Sequence, residues 1–579
     1  MTRMHVLSLI AAMASLGFTI TAIAAEPVGD KVLRQAEDSE NVQFALTLPL
    51  QNQAELDQAL KDIYNPKSQN FRHFMSSAEF NAKYAPSEAT YASLKSFALK
   101  SGLAIIGEHD GHTVLEVSSN VGAVRSLFNV QMHWRQTSNG RQYLAPDAEP
   151  SSPSSLIAIG GKAAALNHKP LRAFIESARS TVAPNAGSGP TGPTSGDTAS
   201  YEPADIKTAY NLNGIQNGGM PVALFELSSA TYSDAAPYAA KFGLNNPTLI
   251  QKLVDGGTTD TSGADEVMLD IDMVMAVSNP TSIYIYTGPN SSAGSLATYT
   301  QMADDNLVGQ ASTSWGLCES STGQTTADSE NTQFEKMAAE GMALFAASGD
   351  FYAHDCATPA LAVNDPASQP YVTGTGGTKL ITTSGQGFTS ETAWYDAAPP
   401  GAGYNGFWGG GGGISTFWPI PSYQTGFTPA DSQFSTTMRN VPDVALNSDP
   451  YTGYYIYCTT PTTCTSIGGY NAGWIPNIGG TSAAAPQFAA TWSLISKGLG
   501  RRAGFANPTL YAIAKNTTSY ALAFHDVPSG SSNGSFNTFS GYDNATGWGS
   551  YNGANLYSAS IAMRNAGALI PIIDLLLSH

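Results

Sequence analysis

Short apolar runs alternate with segments of helical spacing from Tyr201 onwards, and this alternation limits the possible folds more than any other feature of the chain. Apolar runs of this length are typical of strands buried on both faces of a sheet. We predict strands at Val222–Leu227, Ser282–Thr287, Ser312–Gly316 and Met342–Ala347, and helices at Glu266–Val277 and Gln333–Gly341. Strands that alternate with helices predict a parallel sheet with helices on its faces, and functional side chains then belong at the carboxyl ends of the strands.

Residues 26–175 have a denser mixture of strand and helix patterns. Ser76 and Glu79 stand three residues apart as a capping box that opens a helix toward Tyr84. The other predicted helices are Gln53–Ile63, Ser87–Ser101 and Val121–Phe128, and the predicted strands are Val42–Leu50, Ala104–Ile106, Thr113–Val117, Val130–Arg135 and Gln142–Ala145. This mixture predicts an antiparallel α+β fold.

The distribution of charge supports a boundary between these two parts. Of the net charge of −18, residues 201–579 carry −17, with 28 acidic and 11 basic residues. The stretch 176–200 is dominated by Ser, Thr, Pro, Gly and Ala, which is typical of a flexible linker. We therefore predict a first domain at 26–175, a linker at 176–200 and a second domain at 201–579. The acidic excess argues against nucleic acid as a partner, because such proteins present a basic face.

Residues 1–25 read as an export signal. Arg3 precedes an apolar run from Val6 to Ile23, and the small residues that end with Ala24 and Ala25 form a cleavage site. The alternative is a membrane anchor, which the short run and the cleavage site disfavour. We predict a secreted protein with no membrane partner. Its low share of charged residues, 12%, suits an extracellular and acidic setting.

The four cysteines all lie in the second half of the chain, where export would allow them to oxidise. Cys458 and Cys464 close a short loop, so we favour that pair and leave Cys318 with Cys356. Two other pairings are possible from the sequence. A zinc site is a further alternative, although no histidine stands at ligand spacing beside these cysteines.

A candidate nucleophile lies in the segment Gly479–Pro486. Two glycines and a threonine precede Ser482, and an alanine run follows that can begin a helix. A serine at a helix N-terminus is favoured as a nucleophile because the positive end of the dipole stabilises a developing negative charge. The alternative is an ordinary glycine-rich turn into a helix.

The usual histidine base is missing from the expected places. Residues 201–579 contain only His354, His525 and the terminal His579, and we predict structural roles for the first two. A carboxylate could replace the histidine. Glu266 and Asp270 stand four residues apart on one face of an apolar helix, where two close carboxyl groups raise each other's pKa. The alternative for this pair is a helix start that simply favours acids.

Two further segments could line the same site. Asp350 follows the apolar strand at Met342–Ala347, so a protonated Asp350 could donate a hydrogen bond to an oxyanion. The alternative is a common turn aspartate. Gly409–Gly413 is a glycine run without the lysine of a phosphate-binding loop, and we expect it beside the substrate.

Taken together, these motifs resemble the sedolisins, the serine-carboxyl peptidases of the kumamolisin type. The resemblance covers nearly the whole chain: Glu266-x-x-x-Asp270, Ser348-Gly349-Asp350 and the segment around Ser482 match the catalytic positions in order. Further matching segments are Asn65–Ser68, Phe71–Phe74, Glu79–Phe80, Tyr84–Ser87, Arg439–Val444 and Asp449–Gly453. The family implies a subtilisin-like parallel sheet flanked by helices, preceded by a ferredoxin-like inhibitory pro-domain that is cleaved off, and endopeptidase activity at acid pH.

The resemblance also assigns roles. It makes Ser482 the nucleophile, Glu266 the general base, Asp270 its orienting partner and Asp350 the oxyanion donor. It further implies one structural Ca²⁺ ion near the C-terminus. The matching ligands are the carboxylates of Asp526 and Asp543 and the carbonyls of Val527, Phe539 and Gly541, a set of oxygen donors that suits this cation. Phe539 stands where the family usually has glycine.

We therefore expect a secreted, self-processing proenzyme whose mature part acts as a monomer on protein or peptide substrates, with its own pro-domain as inhibitor. The alternatives are a tripeptidyl-peptidase of the same family, a neutral subtilisin-like protease, which lacks its histidine here, and a catalytically silent protein on the same fold. We expect the contact between pro-domain and peptidase domain to rest on apolar contacts and specific pairs, and acid to loosen those pairs.

Overall fold

The computed structural model describes residues 30–178, 200–215, 218–382, 387–399, 402–464 and 473–563. The predicted export signal at 1–25 and most of the predicted linker at 176–200 lie outside the described residues. Both stay predictions. Among the described residues, no helix has the length and apolar character needed to cross a bilayer.

The N-terminal part is an antiparallel α+β unit, as predicted. Its elements are β1 (Lys31–Gln35), β2 (Asn41–Thr47), α1 (Gln53–Tyr64), α2 (Ser77–Tyr84), α3 (Glu88–Lys100), β3 (Ala104–Glu108), β4 (Val114–Asn120), α4 (Val121–Phe128), β5 (Met132–Gln136), β6 (Gln142–Pro146), α5 (Ser154–Ile157), β7 (Lys162–Ala164), β8 (Arg172–Ala173) and β9 (Glu176–Ser177). The main sheet has the order β3-β4-β2-β7 with antiparallel neighbours. With α3 and α4 in the crossovers, this is the ferredoxin-like order.

Local sequence explains several element bounds in this unit. The predicted capping box forms: Ser76 Oγ accepts the backbone N–H of Glu79, and the Glu79 carboxylate accepts the N–H of Ser76. Strand β2 ends at Thr47, before the predicted end at Leu50. Pro49 follows closely, and a proline cannot donate to a strand ladder.

The second part contains the predicted parallel sheet. Its elements are α6 (Pro203–Ala209), β10 (Val222–Glu226), α7 (Ala235–Phe242), β11 (Thr248–Leu253), α8 (Ala264–Val277), β12 (Ser282–Thr287), α9 (Ser292–Asp305), β13 (Gln310–Thr313), β14 (Trp315–Cys318), α10 (Glu319–Thr322), α11 (Gln324–Ala339), β15 (Ala343–Ala347), β16 (Asn364–Asp365), β17 (Val372–Thr382), β18 (Phe388–Ala393), β19 (Tyr395–Ala397), β20 (Phe407–Gly409), β21 (Gly413–Pro419), β22 (Met438–Val441), β23 (Val444–Asn447), β24 (Tyr454–Tyr457), β25 (Trp474–Gly479), α12 (Thr481–Leu499), α13 (Asn507–Ala514), α14 (Thr517–Ala523), β26 (Phe524–His525), β27 (Ser550–Tyr551) and α15 (Gly553–Ala562).

The main sheet runs β11-β12-β10-β13-β15-β17, and β17 also pairs with β23 and with the antiparallel β18. Helices α8 and α12 cover one face, and α9 and α11 cover the other. Helix α11 begins at Gln324, earlier than the predicted start at Gln333, because its first turns are polar and carry no apolar stripe. Disulfides join Cys318 to Cys356 and Cys458 to Cys464, which confirms the favoured pairing.

The two parts meet through apolar surfaces, as predicted. The free face of the N-terminal sheet packs on α9, where Ala45 and Val114 contact Leu296. Helices α1 and α2 pack on the end of α11 through Leu56, Phe80 and their neighbours. The ion pairs at the rim are partly exposed: Arg141 reaches Asp260 at 3.2 Å, and Lys162 reaches Asp328 at 3.2 Å.

The buried carboxyl groups of this interface oppose the predicted loosening by acid. Burial, together with the pro-domain carboxylate of Glu116, raises the pKa of Asp255 to about 7. Burial likewise raises the pKa of Glu335 to about 7, beside Asp57 of the pro-domain. A carboxyl whose pKa is higher in the docked state than in the separated state binds its proton more tightly when the two parts are docked. Docking is therefore most favourable at acid pH, where the carboxyl is protonated in both states, and becomes less favourable as the pH rises toward 7. These groups therefore favour the docked state in acid relative to neutral pH. The predicted loosening concerns charged pairs such as Arg141–Asp260 and stays a prediction.

Candidate active site

Carboxyl and hydroxyl groups gather where three parallel strands end, as the sequence predicts. Glu226 is the last residue of β10, Ser314 follows β13, and Asp350 lies just after β15. Helices α8 and α12 pack against each other over this edge and add Glu266 and Ser482. All five side chains are completely buried in the full-length chain.

Ser482 and Glu266 form the hydrogen bond expected of a nucleophile and its base. Ser482 is the second residue of α12, and the preceding Gly480 has a φ of +94°, which favours glycine. The Ser482 hydroxyl donates to Oε2 of Glu266 at 2.9 Å. The helix start therefore aims the hydroxyl at a carboxylate from the neighbouring helix.

Asp270 lies close to Glu266 but takes its hydrogen bond from another residue. Ser314 Oγ donates to Oδ1 of Asp270 at 2.8 Å. Burial raises the pKa of Glu266 well above its usual value, and the neighbouring carboxyls of Asp270 and Glu226 raise it further. Burial also raises the pKa of Asp270, while the bond from Ser314 opposes the shift.

Glu226 is the site residue that sequence reasoning missed. Trp315 Nε1 donates to its Oε2 at 3.0 Å, and its pKa is raised by burial and by Asp270. One oxygen each of Glu226, Glu266 and Asp270 has no hydrogen-bond partner among the described residues. Three neighbouring carboxyls with spare oxygens form a cluster that can hold and pass a proton. The sequence did carry an indication, because Glu226 is an acid at the end of an otherwise apolar strand.

Asp350 faces the site with one oxygen held and the other free. Its Oδ1 accepts hydrogen bonds from the N–H of Thr481 at 2.8 Å and from Thr481 Oγ1 at 2.9 Å. Its Oδ2 has no partner among the described residues. Burial raises the pKa of Asp350, and the nearby Glu176 raises it further, whereas Arg172 and Thr481 oppose the shift. A proton on Oδ2 would point to the space beside Ser482.

The glycine run packs against the protein's own backbone at the turn after β15, and its predicted place beside the substrate stays a prediction. Gly411 N–H donates to the carbonyl of Gly349, and Gly409 N–H donates to the carbonyl of Asp350. A Cβ on Gly411 would lie 2.0 Å from the carbonyl oxygen of Ser348. The run therefore clamps the turn that carries Asp350.

Neither His354 nor His525 bonds to Ser482. His354 Nδ1 lies 3.0 Å from the carbonyl oxygen of Thr358. His525 stacks on Phe388, and burial lowers its pKa to about 4. Both are held by structural contacts, in line with the predicted structural roles.

The two C-terminal aspartates of the implied calcium site both accept hydrogen bonds from the backbone of the segment Phe539–Gly541. Asp526 accepts hydrogen bonds from Tyr520 OH at 2.7 Å and from Gly541 N at 3.1 Å. Asp543 Oδ2 accepts from Phe539 N at 2.8 Å. Its Oδ1 accepts from the backbone N–H groups of Ala545 at 3.0 Å and Thr546 at 2.8 Å.

Comparison with known proteins places this geometry in a family. A profile described as "Pro-kumamolisin, activation domain" matches residues 29–159. Kumamolisin of Bacillus sp. (strain MN-32) is 32% identical over 507 residues, which cover 83% of this chain and 84% of the relative. The chain belongs to the sedolisin family. It is therefore a serine-type peptidase made with an activation domain.

Two other similarities fit this membership. Tripeptidyl-peptidase 1 of Canis lupus familiaris is 28% identical over 62% of this chain and 64% of the relative. The solved structure of Pseudomonas sedolisin, a serine-carboxyl proteinase in complex with two molecules of pseudo-iodotyrostatin, matches with a TM-score of 0.56 and 26% identity. It covers 64% of this chain and 100% of the solved one, which supports the predicted subtilisin-like sheet of the sedolisin fold.

Proposed function

We propose that this sedolisin-family zymogen is an acid-acting serine-carboxyl endopeptidase in which Ser482 is the nucleophile and Glu266 the general base. The hydrogen bond of 2.9 Å from the Ser482 hydroxyl to Glu266 carries the proposal. Ser482 Oγ attacks the substrate carbonyl carbon while its proton moves to Glu266. Glu266 then returns that proton to the departing amine, and water hydrolyses the acyl-enzyme by the same route.

Asp270 and Glu226 act as positioning residues in this proposal. Their carboxyls raise the pKa of Glu266 and, as neighbours, stabilise the proton that Glu266 receives. Ser314 holds Asp270, and Trp315 holds Glu226, so the cluster has a fixed arrangement.

Asp350 is the proposed oxyanion donor and the reason for acid action. Only its protonated form can donate to the oxygen of the tetrahedral intermediate. Burial raises its pKa, which favours the protonated form in acid. Ionisation at higher pH removes the donor and places a negative charge beside the oxyanion, so activity falls.

Endopeptidase action is favoured over release of tripeptides by the path of the pro-segment. Residues 172–173 pair antiparallel with Trp315–Gly316, and residues 176–177 pair with Ile478–Gly479. The cleft thus binds extended polypeptide on both sides of Ser482. The bound pro-segment continues toward its N-terminus for far more than the three residues that a tripeptidyl-peptidase would release. Tripeptidyl-peptidase action stays the second candidate because of the similarity to tripeptidyl-peptidase 1.

A peptide-cleavage assay tests these roles. Wild type and Ser482→Ala zymogens are held in acid, and the products are assayed from strongly acid to mildly alkaline pH on two versions of one peptide, with a free and with an acetylated N-terminus. We expect wild type alone to cleave both versions in acid. Cleavage of the free version alone would favour the tripeptidyl reading, and cleavage of neither would favour a silent protein.

We also propose the structural Ca²⁺ site. The residues fit the cation: Val527 is buried, and among the described residues no hydrogen bond ends on the carbonyls of Val527, Phe539 or Gly541. Phe539 and Gly541 are half-buried, but a buried carbonyl without a partner, such as that of Val527, is rare, and a bound cation would satisfy it. Gly541 has a φ of +85°, whereas Phe539 has no positive φ, so a side chain is tolerated there.

Within the described residues no cluster of three or more His, Cys, Asp or Glu side chains could hold a metal, so this site depends on two carboxylates and backbone carbonyls. That set is ordinary for Ca²⁺. The ion would tie the segment around Asp526 to the turn around Asp543 and would take no part in the chemistry. Secretion through residues 1–25 and a monomeric mature enzyme complete the proposal.

A further inference from the structure

Residues 171–178 of the pro-segment lie across Ser482 as an extended strand held on both sides. Upstream, Arg172–Ala173 pairs antiparallel with Trp315–Gly316, and Phe174 N–H donates to the carbonyl of Ser314 at 3.1 Å. Downstream, Glu176–Ser177 pairs antiparallel with Ile478–Gly479. An extended chain bonded to both walls of a cleft has the arrangement of a bound substrate.

One carbonyl of this segment accepts a hydrogen bond from the backbone of the proposed nucleophile. The backbone N–H of Ser482 donates to the carbonyl oxygen of Phe174 at 3.1 Å. A Cβ on Gly480 would lie 2.0 Å from that same oxygen and 2.8 Å from Oδ2 of Asp350. The carbonyl oxygen thus lies beside the two donors that would stabilise an oxyanion. The Ser482 hydroxyl is meanwhile held by Glu266.

The side chain of Phe174 fills a pocket shaped for a flat ring. Phe174 is 2% exposed and packs against Ala347 and Ala485. A Cβ on Gly316 would lie 2.9 Å from Cε2 of the ring. Three of the smallest residues therefore surround the ring, and larger residues at these positions would fill the space it needs.

We infer that Phe174–Ile175 is the first bond that the zymogen cuts in itself, and that the pocket around Phe174 gives the mature enzyme a preference for aromatic residues on the acyl side of the scissile bond. This inference rests on the proposed function and names its first substrate.

The step balances with water as the only added reactant. Ser482 Oγ bonds to the carbonyl carbon of Phe174 and gives its proton to Glu266. The bond to the nitrogen of Ile175 breaks, and that nitrogen takes the proton. Water then releases Phe174 as a free carboxylic acid and restores Ser482.

Mass spectrometry of the zymogen tests the bond. Wild-type zymogen is moved to acid pH, quenched at short times and measured as intact chains. We expect the earliest pair of products to end at Phe174 and to begin at Ile175. Phe174→Asp should slow this cut at least a hundredfold, whereas Phe174→Tyr should keep it within a few fold as the matched control. Ser482→Ala zymogen should show no cut at this bond.

A peptide series tests the pocket. Peptides that differ only in the residue before the scissile bond, Phe, Tyr, Leu, Ala or Asp, are given to mature enzyme. We expect kcat/KM for Phe to exceed that for Ala at least tenfold, in the range that apolar pockets give. Ala485→Leu should lower the Phe-to-Ala ratio of kcat/KM at least tenfold, which a general loss of stability or catalysis would not do.

The outcomes separate the two proposals. A first cut elsewhere, or an unchanged cut in Phe174→Asp, would overturn the assignment of the bond while the peptidase activity stands. A flat peptide series, or an Ala485→Leu enzyme with an unchanged ratio, would overturn the aromatic pocket. Absence of cleavage of both zymogen and peptides at every pH would defeat the proposed function and this inference with it.

Discussion

Two groups of carboxyls in the peptidase domain differ in how many hydrogen-bond donors they receive. Asp543 accepts hydrogen bonds from the backbone of three residues, and Asp526 from Tyr520 and Gly541. In the catalytic cluster, Glu266 and Asp270 each accept one hydrogen bond among the described residues, both from serine hydroxyls. Their second oxygens have no partner among the described residues.

This difference separates two uses of the same residue types. Carboxyls that accept several N–H donors are held in one orientation, which organises a loop and suits a cation. Carboxyls left short of donors bind protons readily, at a cost in stability that a reaction can exploit. Substitutions in the catalytic cluster should therefore lower activity more than stability, and substitutions in the calcium-site group should lower stability more than activity.

The largest expected effect comes from the donor-poor group. Ser482→Ala and Glu266→Gln should each lower kcat/KM by about 10⁴-fold or more. Catalytic residues that act as a unit depend on one another, so removal of one of them abolishes most of the rate enhancement. Glu266→Gln should leave the melting temperature unchanged or raised, since it removes a buried carboxyl with an unpartnered oxygen. His354→Ala is the control and should keep a kcat/KM close to that of wild type. An equally inactive His354→Ala enzyme would contradict the assignment.

Asp350 gives a smaller effect that depends on the substitute. Asp350→Ala should lower kcat by about 10²- to 10³-fold, the usual loss of one oxyanion donor. Asp350→Asn can place an N–H where the carboxyl proton was. It should therefore keep more activity than alanine and lose the decline at higher pH that ionisation of Asp350 causes. A pH–rate profile of Asp350→Asn that declines like wild type would rule out this role.

The donor-rich group should show the reverse pattern. Chelation of calcium from the mature enzyme should lower the free energy of unfolding by about 2.7 kcal/mol relative to a calcium concentration one hundred times Kd. Asp543→Asn should lose most of this calcium dependence and keep kcat for peptides at low temperature. Asp328→Asn, a surface change outside this site, is the control. A stable, active enzyme in which metal analysis finds no calcium would end the proposal.

The smallest expected effect concerns the pH limit of the first cut. In the zymogen, burial and then Glu176 raise the pKa of Asp350. The pro-segment also carries Arg172, which lowers the pKa of Asp350 by less than Glu176 raises it, so departure of the segment lowers this pKa and the proton is lost at lower pH. Self-cleavage should therefore persist to higher pH than peptide cleavage by mature enzyme, and Glu176→Gln should reduce the gap. Rates of zymogen conversion and peptide cleavage across pH measure this; coincident limits would contradict it.

Much of the fold and part of the site could be predicted from local pattern. The capping box at Ser76, helix α4 and strand β12 have the predicted bounds, because hydrophobic periodicity and caps act over a few residues. The start of α11 was missed, since polar helical turns lack that periodicity. The one-face placement of Glu266 and Asp270 followed from helix geometry.

Long-range contacts were beyond the sequence. Nothing local to Glu226 says that β10 ends beside α8, nor that Gly409–Gly413 clamps the turn at Gly349. Only the tertiary structure also shows that Asp255 is buried beside Glu116 at the pro-domain interface, which raises the pKa of Asp255.

The sequence by itself determined that a polar α+β segment precedes an acidic parallel-sheet domain, and it placed a serine, two helix carboxylates and a turn aspartate in the order of a known family. Those features depend on residue type and on spacing within one helix or one turn. Only the tertiary structure decided that Phe174 lies against the N–H of Ser482 and that Glu226 joins the carboxyl cluster. Such contacts join residues hundreds of positions apart, and the packing of strands and helices, which no local pattern encodes, sets which of them meet.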